Sequence, residues 1–315
     1  MRVVDPQSIA DGLRAVGLGP GDVVFVYSDL RPIGPLKGAN SRDAFCRVYL
    51  EAFQTVIGAS GTLVVPTYTT QVARYDADFI WEETPAITGL FSEYVRQLPE
   101  SLRSLHPLNS VCALGAKQEY LCSDNGPSEF GYDSPFQRLL HLGAKIVALG
   151  LESGYAVGIA HHLEVACCLP YVYNKLLKWK TVVNGKPLDR LFFASRRHLQ
   201  LEVRYDLSRL AAACRARGLL QSARLGGHWV HGAPYDKVFA VGTELLRDDP
   251  FALLRKPPVF TYGEIPFDGP TGGREANRDT PVESPGTQAV LGHYLTVRSK
   301  VGDDLDSAEE EQANP

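Results

Sequence analysis

The strongest constraint on this chain is a recurrence of short apolar runs between helical patterns. Val23-Val24-Phe25-Val26-Tyr27, Gly61-Thr62-Leu63-Val64-Val65-Pro66, Val111 to Leu114 and Lys145-Ile146-Val147-Ala148-Leu149-Gly150 are β-rich and too short for helices. Gly, Pro or polar turn residues bound them, so each reads as a buried strand. Asp5-Pro6 opens a helical pattern with Ile9, Leu13 and Val16 on one face, closed by Gly17. Ser41 can cap a longer one with Phe45, Val48, Tyr49 and Phe53 at helical spacing. Further helices are expected from Gly89 to Leu98 and from Pro135 to Leu142. This alternation predicts an α/β protein, a single-domain sandwich with a central mixed sheet flanked by helices, over residues 1–262.

The second half is less regular. Trp179 to Ala194 reads as a hairpin around Asn184-Gly185, Asp206 as the cap of a helix through Arg217, and Pro234 as the start of another to about Arg247. Residues 263–315 change to a polar composition with one apolar island and an acidic end, which predicts a partly disordered extension.

Composition narrows the function classes. The 315 residues are 44% hydrophobic and 22% charged, enough for one large core. A net charge of -4 without a local Lys/Arg cluster argues against nucleic-acid binding. No apolar stretch has the length of a membrane span, and Met1 to Pro6 lacks a signal-peptide core, so a cytoplasmic location is expected. The six cysteines show no C-x-x-C spacing and read as reduced core residues, although vicinal Cys167-Cys168 leaves a redox role open. His228-Trp229-Val230-His231 and His161-His162 lack a clustered third ligand, so no metal is expected.

The chemistry-bearing candidate is His161-His162-Leu163-Glu164, ten residues beyond the last strand. Gly158 to Cys168 suits a helix, which places His161 and Glu164 on one face near a strand's carboxyl end. Open α/β sheets tend to bind ligands there. An imidazole oriented by a carboxylate can take a proton from an amine or hydroxyl. Taken alone, the spacing also fits an ordinary helix with one buried histidine and a solvated glutamate.

Other stretches add to this one, in order. They are Val26-Tyr27-Ser28-Asp29-Leu30 before Gly34, Gly61 through Thr69, and Trp81-Glu82-Glu83-Thr84-Pro85 with Gly89, Glu93 and Arg96. Arg103-Ser104-Leu105-His106-Pro107, Ser110, Ser134-Pro135-Phe136, His161 with Glu164, and Leu169-Pro170-Tyr171 follow. Through them the chain resembles the aminoglycoside 3-N-acetyltransferases, also called antibiotic N-acetyltransferases, over roughly residues 5–250.

The resemblance implies acetyl transfer from acetyl-CoA, as co-substrate, to an amino group on a sugar. It makes His161 the general base and Glu164 its partner. Ser28, Asp29, Leu30, Thr67 and Tyr68 would line the pantetheine and thioester. Arg103 and Ser104 would meet CoA phosphates, and Ser110 the thioester oxygen. Glu82, His106, Asn109 and Tyr155 are the acceptor-side candidates. A turn cap for Ser28, an ion pair for Arg103, a core hydroxyl for Ser110 and a buried turn for His106-Pro107 stay open.

Two positions depart from the family pattern: Gly158 stands where a Thr is common, and Asn109 where a second His is usual. Asp76, Asp78, Glu82, Glu83 and Asp133 would suit a polycationic antibiotic, as in resistance. Tyr68, Tyr75, Trp81, Tyr155 and Arg74 would suit a nucleotide-linked amino sugar of polysaccharide biosynthesis, and that acceptor is favoured. A non-catalytic CoA- or sugar-binding relative, transfer of another acyl group, metal-assisted hydrolysis and a homodimer remain open.

Overall fold

The computed structural model describes residues 3–152, 157–198 and 201–261. The expected extension at 263–315 lies outside them. Asp5 accepts the Gln7 N–H at 3.0 Å and starts α1 (Pro6–Ala15), which leads to β1 (Val23–Ser28). Ser41 accepts the Ala44 N–H at 3.1 Å and starts α2 (Arg42–Ile57), which returns the chain to β2 (Thr62–Pro66). Then come α3 (Gln71–Arg74), β3 (Phe79–Ile80), α4 (Leu90–Arg96), β4 (Leu102–Arg103) and β5 (Val111–Gly115). α5 (Gln118–Cys122) and the Ser134-capped α6 (Pro135–His141) precede β6 (Lys145–Leu149). α7 (Val157–Ala166), β7 (Val172–Leu176), β8 (Thr181–Val183), β9 (Lys186–Pro187) and β10 (Phe193–Arg197) follow. α8 (Ser208–Ala216), β11 (Gln221–Leu225), β12 (His228–Pro234) and α9 (Tyr235–Asp248) complete the described elements.

The main sheet runs β11-β12-β6-β1-β2-β5-β4. β1 pairs in parallel with both β6 and β2, whereas β12 joins β6, and β5 joins β2, antiparallel. The sheet is therefore mixed and covered by helices on both faces, as the alternation predicts. Along β1, Val23, Phe25 and Tyr27 bury with Phe136 of α6 and Ile159 and Leu163 of α7. Val24 and Val26 bury on the opposite face with Ile9 and Leu13 of α1 and Phe53 of α2. A strand covered on both sides must be apolar throughout, which is why its sequence shows no alternation.

The hairpin is shorter than the sequence suggests. Asn184 and Gly185 form the turn with φ of 49° and 71°, but its strands are β8 and β9 alone. β10 pairs with β7 instead. Phe192 and Ala194 bury with Phe79, Leu177 and Trp179 in a small separate core, and that burial draws the segment away from the turn. α8 also starts one residue later than an Asp206 cap requires: the carboxylate accepts the Ser208 N–H at 2.9 Å, and Leu207 occupies the cap position. The antiparallel β11–β12 edge carries no strong turn signal beyond Gly226-Gly227, and the sequence reading did not find it.

The carboxyl ends of β1 and β6 meet at one point. Asp29 N–H donates to the Leu149 carbonyl at 2.9 Å, and Gly150 follows with φ 71°. A Cβ at Gly150 would overlap the Asp29 carbonyl oxygen, so the close approach of the two strand ends needs glycine there. Gly150→Ala is expected to lower unfolding stability by more than about 1 kcal/mol, read from urea denaturation.

Candidate active site

α7 is the next described element after β6, and its Ile159 and Leu163 bury in the core that covers Phe25 and Tyr27 of β1. One turn of helix brings His161 and Glu164 together: Nδ1 lies 2.7 Å from Oε2. Glu164 is 1% exposed and His161 28%, so the carboxylate is enclosed while the imidazole keeps an open edge. The Tyr205 hydroxyl donates to the same Oε2 at 3.2 Å. Burial, with Glu164 beside them, pushes ionisation of the Tyr205 and Tyr171 hydroxyls up, so both stay neutral. The Phe130 and Tyr205 rings each lie 5.3 Å from the imidazole, one tilted and one edge-on. With Nδ1–H donated to the carboxylate, Nε2 keeps its lone pair. The arrangement can accept a proton at Nε2 and stabilise the cation that results.

The neighbouring histidine points elsewhere. His162 Nδ1 meets the Tyr235 hydroxyl at 3.0 Å, and its ring packs 4.6 Å from Phe239 of α9. Burial, with His141 contributing, pushes it down to about 4. Of the two adjacent imidazoles, His161 alone pairs with Glu164.

A second cluster gathers Thr67, Arg103 and Ser110, all buried. Arg103 donates from Nε to Ser110 Oγ at 3.1 Å, from Nη1 to the Trp81 and Thr84 carbonyls at 3.0 and 2.6 Å, and from Nη2 to the Thr67 carbonyl at 3.2 Å. Its guanidinium lies 4.6 Å over the Phe79 ring. Burial pushes it down to about 9, still charged at neutral pH. Ser110 Oγ donates to the Thr67 carbonyl at 2.7 Å and lies 3.0 Å from Thr67 Oγ1. Ser104 Oγ accepts the Val111 N–H at 2.9 Å. These groups tie the loop after β2 to β4 and β5. Burial obliges each of these donors to find a fixed acceptor, and this internal network supplies one.

His106 is likewise an internal anchor. Its Nδ1 accepts the Leu108 and Asn109 N–H groups at 3.2 and 3.1 Å, and Nε2–H donates to the Phe193 carbonyl at 3.1 Å. Burial pushes it down to about 3. Asn109 is buried beside it. Ser28 and Asp29 stand at the strand-end junction, where Asp29 also accepts from the Arg31 guanidinium at 3.0 Å, and Leu30 turns into the core. Tyr68 follows Thr67 with its hydroxyl buried. Glu82 is exposed, and its Oε1 accepts the Asn184 N–H at 2.8 Å on the hairpin turn. Tyr155 lies outside the described residues.

Sequence reasoning missed Tyr205 and Glu129. Glu129 is wholly buried and accepts the Ser195 N–H at 2.6 Å and Arg196 Nη1 at 2.7 Å. A glutamate in a turn between Ser128 and Phe130 carries no periodic signal, and its partners come from β10, more than sixty residues away. His228 and His231 belong to β12, where His231 Nδ1 lies 2.7 Å from Ser222 Oγ. Among the described residues, no three His, Cys, Asp or Glu side chains are grouped to hold a metal ion, and no helix is long and apolar enough to cross a membrane.

Residues 25–247 match the family described as Aminoglycoside 3-N-acetyltransferase. Aminoglycoside N(3)-acetyltransferase VII of Streptomyces paromomycinus is 28% identical over 181 residues, covering 51% of this chain and 60% of that protein. Aminoglycoside N(3)-acetyltransferase III of a Salmonella species is 28% identical over 196 residues, covering 56% and 63%. The chain thus spans about three fifths of these curated relatives. The solved structure described as AAC-IIIb binary with CoASH aligns with a TM-score of 0.66 at 21% identity, covering 78% of this chain and 97% of that one. At that identity the likeness speaks for the fold.

Two outcomes follow from the buried cations and imidazoles. Arg103→Met leaves the Thr67, Trp81 and Thr84 carbonyls without their charged donor and should cost at least about 3 kcal/mol in urea unfolding. His106 and His162 stay neutral when folded but protonate near pH 6.5 when unfolded. The unfolded chain therefore binds more protons below 6.5. The stabilisation is complete above pH 6.5 and is lost as pH falls toward about 4 for His162 and about 3 for His106. His106→Asn, which keeps an acceptor for the two amides, should flatten the slope of stability between pH 6 and pH 4 by about 1.4 kcal/mol per pH unit.

Proposed function

Because the chain belongs to the aminoglycoside 3-N-acetyltransferase family, we propose that it moves the acetyl group of acetyl-CoA onto an amino group of an aminoglycoside-class amino sugar. The observation that carries this reading is the His161–Glu164 pair, with an enclosed carboxylate on Nδ1 and an imidazole edge left open. A sugar ammonium cannot attack a thioester until it loses a proton. His161 Nε2 takes that proton, Glu164 and Tyr205 hold the ring in the required tautomer, and the freed nitrogen attacks the thioester carbon. The tetrahedral intermediate collapses with loss of the CoA thiolate, which takes up the remaining ammonium proton to leave as the free thiol and a neutral amide. Direct attack needs no protein nucleophile.

Acetyl-CoA is assigned to the carboxyl ends of β1 and β6, beside Ser28 and Asp29, where parallel neighbours diverge into separate connections. The solved relative described as binary with CoASH supports CoA as the donor. Thr67, Arg103, Ser104 and Ser110 are assigned to shaping the loops beneath it, and Tyr68 to the buried wall. His106 and Asn109 are likewise assigned to support of the acceptor side.

The acceptor assignment departs from the sequence preference for a nucleotide-linked sugar. Trp81, one of the aromatic groups behind that preference, spends its indole N–H on the Arg103 carbonyl at 2.9 Å, and the Tyr68 hydroxyl is buried. The named relatives act on aminoglycosides by their descriptions, which supports that class. Nucleotide-linked amino sugars form the comparison arm of the test.

Release of free CoA thiol from acetyl-CoA should be measured across both acceptor classes. Turnover is expected with aminoglycosides, and His161→Ala should lower kcat by at least about 100-fold while CoA binding, by calorimetry, persists. Glu164→Gln should give a smaller loss. Turnover with nucleotide-linked sugars alone would overturn the acceptor assignment, and no turnover with any amine would overturn the reaction.

A further inference from the structure

We propose that Glu129 is a positioning residue for this reaction, a buried second carboxylate that holds the positive charge His161 takes on when it accepts the substrate proton. The inference rests on the acetyl-transfer reading above. It begins from a buried carboxylate that uses only one of its two oxygens to anchor its turn to β10. Glu129 is 0% exposed, and one of its carboxylate oxygens, Oε2, has no hydrogen-bond partner among the described residues. An ionised oxygen kept from water is costly and calls for a compensating charge.

Its place is fixed from β10. Oε1 accepts from Ser195 N–H and Arg196 Nη1, and the Glu129 N–H donates to the Phe193 carbonyl at 3.2 Å. The next residue, Phe130, sets its ring 5.3 Å from the His161 imidazole, so the same short turn carries both the carboxylate and a wall of the pair. Burial pushes Glu129 up; Arg196, and then His161, oppose that. The Tyr68 hydroxyl, its ionisation pushed up mainly by burial, feels the same carboxylate.

The charge balance gives the role. Glu164 faces His161 from α7, with neutral Tyr171 and Tyr205 around it, and Arg197 acts on Tyr205. Arg196 is bonded to Oε1 of Glu129. It already offsets the carboxylate charge through Oε1, while Oε2 lacks a hydrogen-bond partner among the described residues. An imidazolium at His161 adds a second positive charge for this carboxylate to stabilise. The carboxylate therefore favours the protonated state of His161 without touching substrate.

The test follows the His161 ring resonance by NMR against pH in the wild type, Glu129→Gln and Glu129→Asp, assigned by its loss in His161→Ala. Gln keeps an acceptor for Ser195 and Arg196, so the anchor to β10 survives the loss of charge. In Glu129→Gln the midpoint of His161 protonation should fall by on the order of one pH unit, and kcat by about tenfold with acceptor KM little changed. Glu129→Asp, which withdraws the carboxylate by one methylene, should shift it less in the same direction. An unmoved midpoint in Glu129→Gln overturns the proposal. If that variant fails to fold, an unmoved midpoint in Glu129→Asp overturns it. Because the titration needs no turnover, a wild type inactive with every amine would refute the acetyl-transfer reading while the midpoint still decides the coupling of Glu129 to His161.

Discussion

The parallel pairing of β1 with β6 is the contact on which the rest depends. It joins segments about 120 residues apart, from Val24 with Lys145 to Ser28 with Leu149. It continues past the strands through the Asp29–Leu149 hydrogen bond and the close seat of Gly150. One end of this pair sends the chain into the loop at Asp29, and the other sends it toward α7. The helix that carries His161 and Glu164 packs its Ile159 and Leu163 into the core that covers β1. Both faces of β1 are buried, so a slip of that register would leave large apolar groups without partners.

Around this centre the molecule uses buried polar groups in two ways. Arg103 donates to backbone carbonyls from two loops and holds them against β4 and β5, whereas His106 accepts the Leu108 and Asn109 N–H groups of its own turn while donating to the Phe193 carbonyl. These groups spend their polarity on the fold. Glu164 spends its polarity on a neighbour whose other edge stays open. The Phe193 carbonyl links the two uses, because it receives both His106 Nε2–H and the Glu129 N–H. The small β7–β10 sheet thus braces the His106 turn and the wall of the His161 pair together.

The legibility of the sequence followed the range of each interaction. Caps at Asp5 and Ser41 act within three residues, and the helices they open stand as the sequence implies. The Asn184-Gly185 turn is local and was legible; the extent of its strands was not, because burial of Phe192 and Ala194 in a distant core decided it. The same holds at the site. His161 and Glu164 lie on one helical turn, so their meeting follows from spacing. The sequence marks Arg103 only by its type; the Thr67, Trp81 and Thr84 carbonyls to which it donates come from elements that only the fold brings together.

By itself, the sequence determined a layered α/β sandwich, its principal helices and strands, and a His–Glu pair near a strand end. Those features depend on period, on capping and on short turns, which are written in neighbouring residues. Only the tertiary structure decided which imidazole takes the carboxylate. His162 could turn into the core because α9 offers it Tyr235 and Phe239. It alone enclosed Glu164 with Tyr205, and it alone brought Glu129 and Arg196 together beside Phe130. Each of those contacts joins elements far apart in the chain, and only packing fixes the distance over which a charge acts.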